Sequence, residues 1–102
     1  MAQAESSAGI KNRIDYNYDL PKMYKVIFYN DDFTTFDFVI LVLTEVFHKS
    51  SDEAKKLAET IDQEGEAIVG TYSLDIAKTR TKRTLDMAKE EGFPLVVKYM
   101  KE

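Results

Sequence analysis

Residues 23–47 read MYKVIFYNDDFTTFDFVILVLTEVF and decide the fold of this chain. Residues 23–29 form an apolar run that is typical of a buried strand. From Phe36 to Phe47, apolar side chains recur at helical spacing and predict a largely buried helix. The polar triplet Asn30-Asp31-Asp32 therefore lies at a strand-to-helix junction, where amide and carboxylate groups meet the edge of a hydrophobic core.

The residues that follow predict two further helices and two further strands. Ser50 and Ser73 are suitable N-caps, and Gly65 and Gly92 are suitable helix ends. The predicted elements are a strand at 23–29, a helix from Thr34 or Thr35 to Phe47, a helix from Ser50-Ser51-Asp52 to Gly65, a strand at 67–72, a helix at 74–91 and a strand at 95–100. This order predicts an α/β protein of the α+β type, with two layers, in which three helices cover one face of a three-stranded β-α-α-β-α-β sheet.

Length and charge limit the classes of function. The 102 residues suit one small domain, with 1–20 predicted as a flexible N-terminal extension and 21–102 as the core domain. With 18 acidic and 14 basic residues the net charge is −4, which does not favour general nucleic-acid binding. No apolar run approaches the roughly 20 residues of a membrane span, and no secretory signal is present. We expect a cytoplasmic protein without nucleic-acid or membrane partners.

Few residues in the chain are suited to catalysis. The absence of cysteine excludes disulfides and thiolate zinc sites. His48 is the single histidine, so Ser-His-Asp and Cys-His catalysis would both require it. A small enzyme that uses Asp31, Asp32 and Asp62 for acid–base work or for holding a metal stays an alternative, but no cofactor motif supports it. We therefore predict neither a catalytic residue nor a cofactor.

The triplet Asn30-Asp31-Asp32 has three interpretations. The first is a turn that caps the next helix, since Asn and Asp side chains bond to nearby backbone amides. The second is a metal site of oxygen ligands, although the spacing lacks a calcium-loop pattern. The third is a site for an ammonium group, which carboxylates bind through charge-assisted hydrogen bonds. Asp62, at the end of the second helix, is either an exposed polar residue or a second carboxylate at the mouth of the same cavity.

The third predicted helix is strongly basic. Its cationic residues are Lys78, Arg80, Lys82, Arg83 and Lys89. A solvated face, a nucleic-acid contact and a contact with an acidic protein surface are all compatible with this pattern, and no nucleic-acid reading motif supports the second.

Several motifs together resemble the ClpS adaptors. The motifs are Met23-Tyr24-Lys25-Val26, Asn30-Asp31-Asp32-Phe33-Thr34, Phe38-Val39-Ile40, Gly65-Glu66-Ala67-Ile68-Val69-Gly70 and Phe93-Pro94-Leu95. The resemblance covers the chain from about Pro21 to the C-terminus. It implies an adaptor, not an enzyme, that binds N-terminal Leu, Phe, Tyr or Trp of proteins to be degraded. It also implies delivery of these N-degron substrates to the N-terminal domain of a Clp AAA+ unfoldase, of the ClpA or the ClpC type.

The resemblance also implies a role for individual residues. Asn30 and Asp31 would hold the α-amino group, together with Asp62. Asp32 and Thr34 would shape the loop. The side-chain pocket would be lined by Phe36, Val39, Ala58, Ile61 and Leu95. The unfoldase-facing surface would contain Asp75, Lys78 and Arg80. The tail, residues 1–20, would correspond to the variable extension that these adaptors need for delivery.

Two positions depart from the common family pattern. Many family members carry a histidine at the position of Asp62, and a methionine is common at the position of Phe36. The first change replaces a ring with a carboxylate that attracts an ammonium directly. The second places a bulkier side chain at the pocket entrance, and Ala58, a position that is often larger in the family, would restore room. The alternative with the same topology is a factor-recruiting module like the C-terminal domain of the ribosomal stalk protein L7/L12, which has no amino-group pocket.

Overall fold

The computed structural model describes residues 21–102. Its elements are β1 (Met23–Tyr29), α1 (Phe36–Glu45), α2 (Ser51–Glu64), β2 (Glu66–Ser73), α3 (Leu74–Glu91) and β3 (Val96–Lys101). This order confirms the predicted β-α-α-β-α-β chain of three strands and three helices. The prediction of a flexible extension falls on residues 1–20, outside the described residues. None of the helices between residues 21 and 102 is long and apolar enough to cross a membrane.

Side chains at the helix starts explain where the helices begin. Thr35 is the N-cap of α1, and its hydroxyl accepts a hydrogen bond of 3.2 Å from the amide of Phe38. Ser50 and Glu53 form a reciprocal capping box at the start of α2. Ser73 occupies the N-cap position of α3, but its side chain makes no capping hydrogen bond. The predicted start of α3 is therefore confirmed, although Ser73 does not cap it through its side chain.

The sheet has the order β2-β1-β3, with both pairs antiparallel, so β1 is the central strand. The register between β1 and β2 shifts between Val26 and Ile27, which pair with Gly70 and Ile68 respectively. Val69 is thereby left as an extra residue on β2, as in a β-bulge. It is buried in the core.

A single hydrophobic cluster fills the space between the sheet and the helices. Val26 and Phe28 of β1 are completely buried in it. Helix α3 contacts all three strands, α2 contacts β2, and α1 packs on α2. Exposed apolar side chains of the strands include Ile68 and Val96, which share a face of the sheet with Ile27. This layering leaves the junction after β1 at the edge of the core.

Thr81 on α3 places a hydroxyl group in the hydrophobic core. The residue is 5% exposed, and within residues 21–102 its hydroxyl has no hydrogen-bond partner. We expect Thr81→Val to raise the free energy of unfolding by about 1 kcal/mol, because it removes a buried unpaired hydroxyl. Urea denaturation measures this change.

Thr84 offers a matched control on the same helix. It is also fully buried, but its hydroxyl donates to the backbone carbonyl of Arg80 at 2.8 Å. Thr84→Val should therefore bring no gain in stability. A Thr81→Val protein that is no more stable than the unaltered chain would show that its hydroxyl is already paired.

Candidate functional site

The loop between β1 and α1 is held in shape by one carboxylate. Oδ1 of Asp31 accepts hydrogen bonds from the backbone amides of Phe33, at 2.8 Å, and Thr34, at 2.7 Å. Oδ2 of Asp31 accepts a third bond, of 2.7 Å, from the Thr34 hydroxyl. A carboxylate has about four acceptor positions, so roughly one remains for a ligand.

These hydrogen bonds also favour the ionised form of the Asp31 carboxyl. Partial burial alone would raise the pKa of the Asp31 carboxyl. The bonds from the Thr34 hydroxyl and from the amides of Thr34 and Phe33 outweigh that effect and hold the pKa below its ordinary value. Asp31 is therefore ionised at neutral pH and keeps its negative charge at the loop.

The same loop is joined to the end of α2. The amide of Asn30 donates a 2.9 Å hydrogen bond to the carbonyl of Gly65. Gly65 ends α2 with φ of 91°, a left-handed conformation that glycine adopts at little cost. Because of this connection, the C-terminal turns of α2 lie opposite the loop. Ala58, Ile61 and Asp62 lie three and four residues apart on α2 and thus share one side of it.

The loop, the first turn of α1 and the end of α2 enclose a cavity of about 290 Å³. Its lining residues are Asn30, Asp31, Asp32, Thr34, Phe36, Val39, Ala58, Ile61 and Asp62. We call the polar residues 30, 31, 32, 34 and 62 the rim, and the buried apolar residues Val39, Ala58 and Ile61 the floor. Phe36 is 40% exposed and forms the apolar part of the wall that solvent still reaches.

The cavity combines negative charge with an apolar interior. Among residues 21–102, three carboxylates line it, those of Asp31, Asp32 and Asp62, and no lysine, arginine or histidine does. Such a rim attracts a cation, and the floor accepts an apolar group attached to it. In residues 21–102, no group of three or more acidic or histidine side chains is arranged to hold a metal ion. The arrangement suits an organic ammonium group with an apolar side chain.

Nine of the ten residues predicted for amino-group binding, the loop and the pocket line this one cavity. The tenth, Leu95, does not: it is buried within the core cluster, ahead of β3. Burial in that cluster does not separate Leu95 from Val39, Ala58 and Ile61, which belong to it too, so its place in the pocket stays a prediction. The sequence identified Gly65 as a helix end and as part of a family motif, but it did not predict its carbonyl as the anchor for Asn30. This contact joins distant parts of the chain, so local patterns do not reveal it.

A second groove, of about 230 Å³, lies on the first turns of α3. It is lined by Asp75, Ile76, Thr79 and Arg80. Two of the three residues predicted for the partner surface, Asp75 and Arg80, thus lie together, whereas Lys78 is exposed outside the lining. Ile76 and Thr79, the other two lining residues, were not among the predicted residues. Helical spacing was the available signal, because residues 75, 76, 79 and 80 share one side of a helix.

Comparisons with known proteins give consistent results. The family model described as ATP-dependent Clp protease adaptor protein ClpS matches residues 19–98. The ATP-dependent Clp protease adapter protein ClpS of Nautilia profundicola is 46% identical over 81 residues, which cover 79% of this chain and 84% of that protein. The protein of the same name from Acetivibrio thermocellus is 41% identical over 86 residues, covering 84% of this chain and 87% of that protein.

A solved structure shares both the fold and the sequence similarity. It is the structure of Agrobacterium tumefaciens ClpS2 bound to L-phenylalaninamide, with a TM-score of 0.78 and 41% sequence identity. The match covers 81% of this chain and 100% of that chain. The similarity therefore includes the whole of the solved protein.

Proposed function

Because the chain belongs to the ClpS family of ATP-dependent Clp protease adaptors, we propose that its cavity binds the N-terminal residue of proteins marked for degradation. The chain is an adaptor of a Clp protease and not an enzyme. Its ligands are N-degrons that begin with Leu, Phe, Tyr or Trp, and it delivers them to a Clp unfoldase. Family membership favours this function over the factor-recruiting module and the small enzyme.

The observation that carries the proposal is that one cavity is lined both by the acidic residues of the rim and by the buried apolar residues of the floor. An N-terminal residue offers an ammonium group and, for these residue types, a large apolar side chain on the same carbon atom. L-Phenylalaninamide, the ligand in the Agrobacterium protein, has both features. No internal residue of a protein carries a free α-ammonium group, so a site that requires both features selects chain ends.

We assign the roles by position. Asn30, Asp31 and Asp62 bind the α-amino group, and Asp32 and Thr34 shape the loop around it. Phe36 and the floor receive the side chain. Each charge-assisted hydrogen bond contributes about 1.5–3 kcal/mol, and burying a Leu or Phe side chain adds about 1.5–3 kcal/mol. Together these terms support micromolar binding from a small contact area.

Fluorescence anisotropy with a labelled peptide tests this proposal. A peptide beginning with Leu is compared with the same peptide after N-acetylation, which removes the ammonium charge and keeps the side chain. We expect binding of the free peptide and loss of binding on acetylation. Binding of the free peptide should also weaken above about pH 8, where an α-amino group loses its proton. Equal binding of both peptides, or of neither, would contradict the proposed function.

Asp62 is expected to contribute through its charge. Asp62→Asn should weaken binding of the Leu peptide by roughly threefold at low salt, because an exposed carboxylate attracts the ammonium only modestly. The difference should shrink as salt is added, since exposed charges are screened. Anisotropy titrations at two salt concentrations measure both effects.

A matched control for Asp62→Asn is Glu59→Gln. Glu59 is exposed on the same helix and does not line the cavity. Glu59→Gln removes the same charge as Asp62→Asn, and it should leave the affinity nearly unchanged. If both variants weaken binding equally, the effect comes from the overall charge of α2, and Asp62 is not part of the amino-group site.

We further propose that the groove on α3 faces the N-terminal domain of the Clp unfoldase, of the ClpA or the ClpC type. Asp75 and Arg80 supply charges of opposite sign, and Ile76, 43% exposed, supplies apolar area between them. A groove with an apolar centre and charged neighbours is suited to protein–protein contact. Lys78 lies beside this groove and adds positive charge to the same helix.

A further inference from the structure

One aromatic ring connects the hydrophobic core to the partner groove. The ring of Tyr72, near the end of β2, lies 6.0 Å from the ring of Phe47, measured between centroids. Cζ of Arg80 lies 4.9 Å from the Tyr72 centroid, a cation–π distance. Within residues 21–102, Arg80 takes part in no salt bridge. The Tyr72 ring is thus the contact that orients the guanidinium in the described structure.

Gly70 provides the space that this ring occupies. A Cβ atom at residue 70 would lie 2.6 Å from Cζ of Tyr72, well inside contact distance. Gly70 does not have a positive φ, unlike Gly65 and Gly92. Glycine is therefore required at residue 70 for space and not for backbone conformation. Any side chain there would displace the ring and, with it, the support of Arg80.

We propose that Tyr72 is a positioning residue for Arg80 in partner binding, and that Gly70 makes this position possible. The inference rests on the proposed role of the α3 groove. Arginine is flexible and loses rotamer freedom on binding, so a ring that orders it beforehand reduces that loss. The guanidinium keeps its hydrogen-bond donors free for a carboxylate of the unfoldase, because a stacked face leaves the edge of the plane available.

Binding of the full chain to the full-length Clp unfoldase tests the proposal. Tyr72→Leu should weaken binding roughly fivefold, as expected for loss of a cation–π contact at a partly exposed site. Tyr72→Phe keeps the ring and should bind like the unaltered chain. Gly70→Ala should match Tyr72→Leu. In an Arg80→Ala background, Tyr72→Leu should cause no further loss, because the two residues act as one unit.

Affinity for the Leu peptide is the control for folding. It should be unchanged in all these variants, since Tyr72, Gly70 and Arg80 do not line the cavity. If Arg80→Ala weakens unfoldase binding and Tyr72→Leu does not, the positioning role of Tyr72 is wrong, whereas the assignment of the α3 groove to the unfoldase is supported. If Arg80→Ala has no effect, the proposed partner groove is wrong as well.

A measurement without the unfoldase tests the contact itself. In nuclear magnetic resonance spectra, the Nε–Hε signal of Arg80 should be shifted by the Tyr72 ring current. The shift should persist in Tyr72→Phe and disappear in Tyr72→Leu. An Arg80 signal that does not move in Tyr72→Leu would overturn the proposal whatever the binding data show.

Discussion

Asp31→Ala is expected to lower the affinity for a Leu-initiated peptide about a hundredfold, equivalent to roughly 2.8 kcal/mol. The substitution removes a charge from the rim and all three hydrogen bonds that Asp31 accepts from Phe33 and Thr34. Without these bonds residues 31–34 lose their fixed shape, although the amide of Asn30 stays bonded to the carbonyl of Gly65. Anisotropy titration measures the loss, and circular dichroism shows whether the fold is retained.

Two matched variants separate the charge from the loop geometry. Asp31→Asn loses the charge but keeps one oxygen that can accept from the amides of Phe33 and Thr34. Thr34→Val keeps the charge and loses the hydroxyl bond to Oδ2. If loop geometry dominates, Asp31→Asn retains most of the affinity. If charge dominates, the affinity of Asp31→Asn falls as far as that of Asp31→Ala. An Asp31→Ala protein that binds normally would remove Asp31 from the site.

The lowered pKa of Asp31 makes the stability of the loop depend on pH. Its pKa is lower in the folded chain than in the unfolded chain, where an Asp titrates at about 3.9. The stabilisation from its charge is therefore fully present above about pH 4 and is lost as the pH falls through the lower folded-state value. The amide signals of Phe33 and Thr34 should report this transition, and they should not respond to pH in Asp31→Ala.

Ala58→Leu is expected to lower the affinity for Leu- and Phe-initiated peptides about a hundredfold, because it occupies the space that their side chains need. Ala58 is 3% exposed and lies on the floor of the cavity. A larger side chain there enters an existing space, so the fold should lose little stability, in contrast to overpacking a closed core. Anisotropy titration and thermal denaturation measure the two effects.

Glu59→Leu is the control for Ala58→Leu. It adds the same side chain at the next residue of α2, on the exposed surface and outside the cavity lining. It should leave peptide affinity unchanged. Normal peptide binding by a folded Ala58→Leu protein would mean that the ligand side chain does not reach the floor of the cavity. Loss of folding in Ala58→Leu alone would mean that the floor is packed as tightly as the core.

Most secondary structure was predictable because its signals are local. Ser50 with Glu53, Thr35, Gly65 and Gly92 act within one turn of the helix that each begins or ends. Side-chain periodicity then distinguishes strands from helices. Ser73 occupies the predicted N-cap position without a capping hydrogen bond from its side chain, so a suitable residue type fixes the position of a helix start more reliably than the contact made there.

The candidate site was predictable only with the help of the family resemblance. The triplet Asn30-Asp31-Asp32 indicates a polar junction, but a turn, a metal site and an ammonium site all fit its residue types. The role of Leu95 rests on the resemblance alone, because the described lining of the cavity does not include this residue. Whether a side chain lines a cavity depends on the packing of several elements and not on its own motif.

The sequence by itself determined the number, type and order of the elements and placed an acidic triplet between a buried strand and a buried helix. These features depend on residues close together in the chain. Only the tertiary structure decided the strand order β2-β1-β3, the hydrogen bond that joins Asn30 to Gly65 and the stacking of Tyr72 on Arg80. Each of these needs distant residues to meet, and such meetings depend on how the whole core packs.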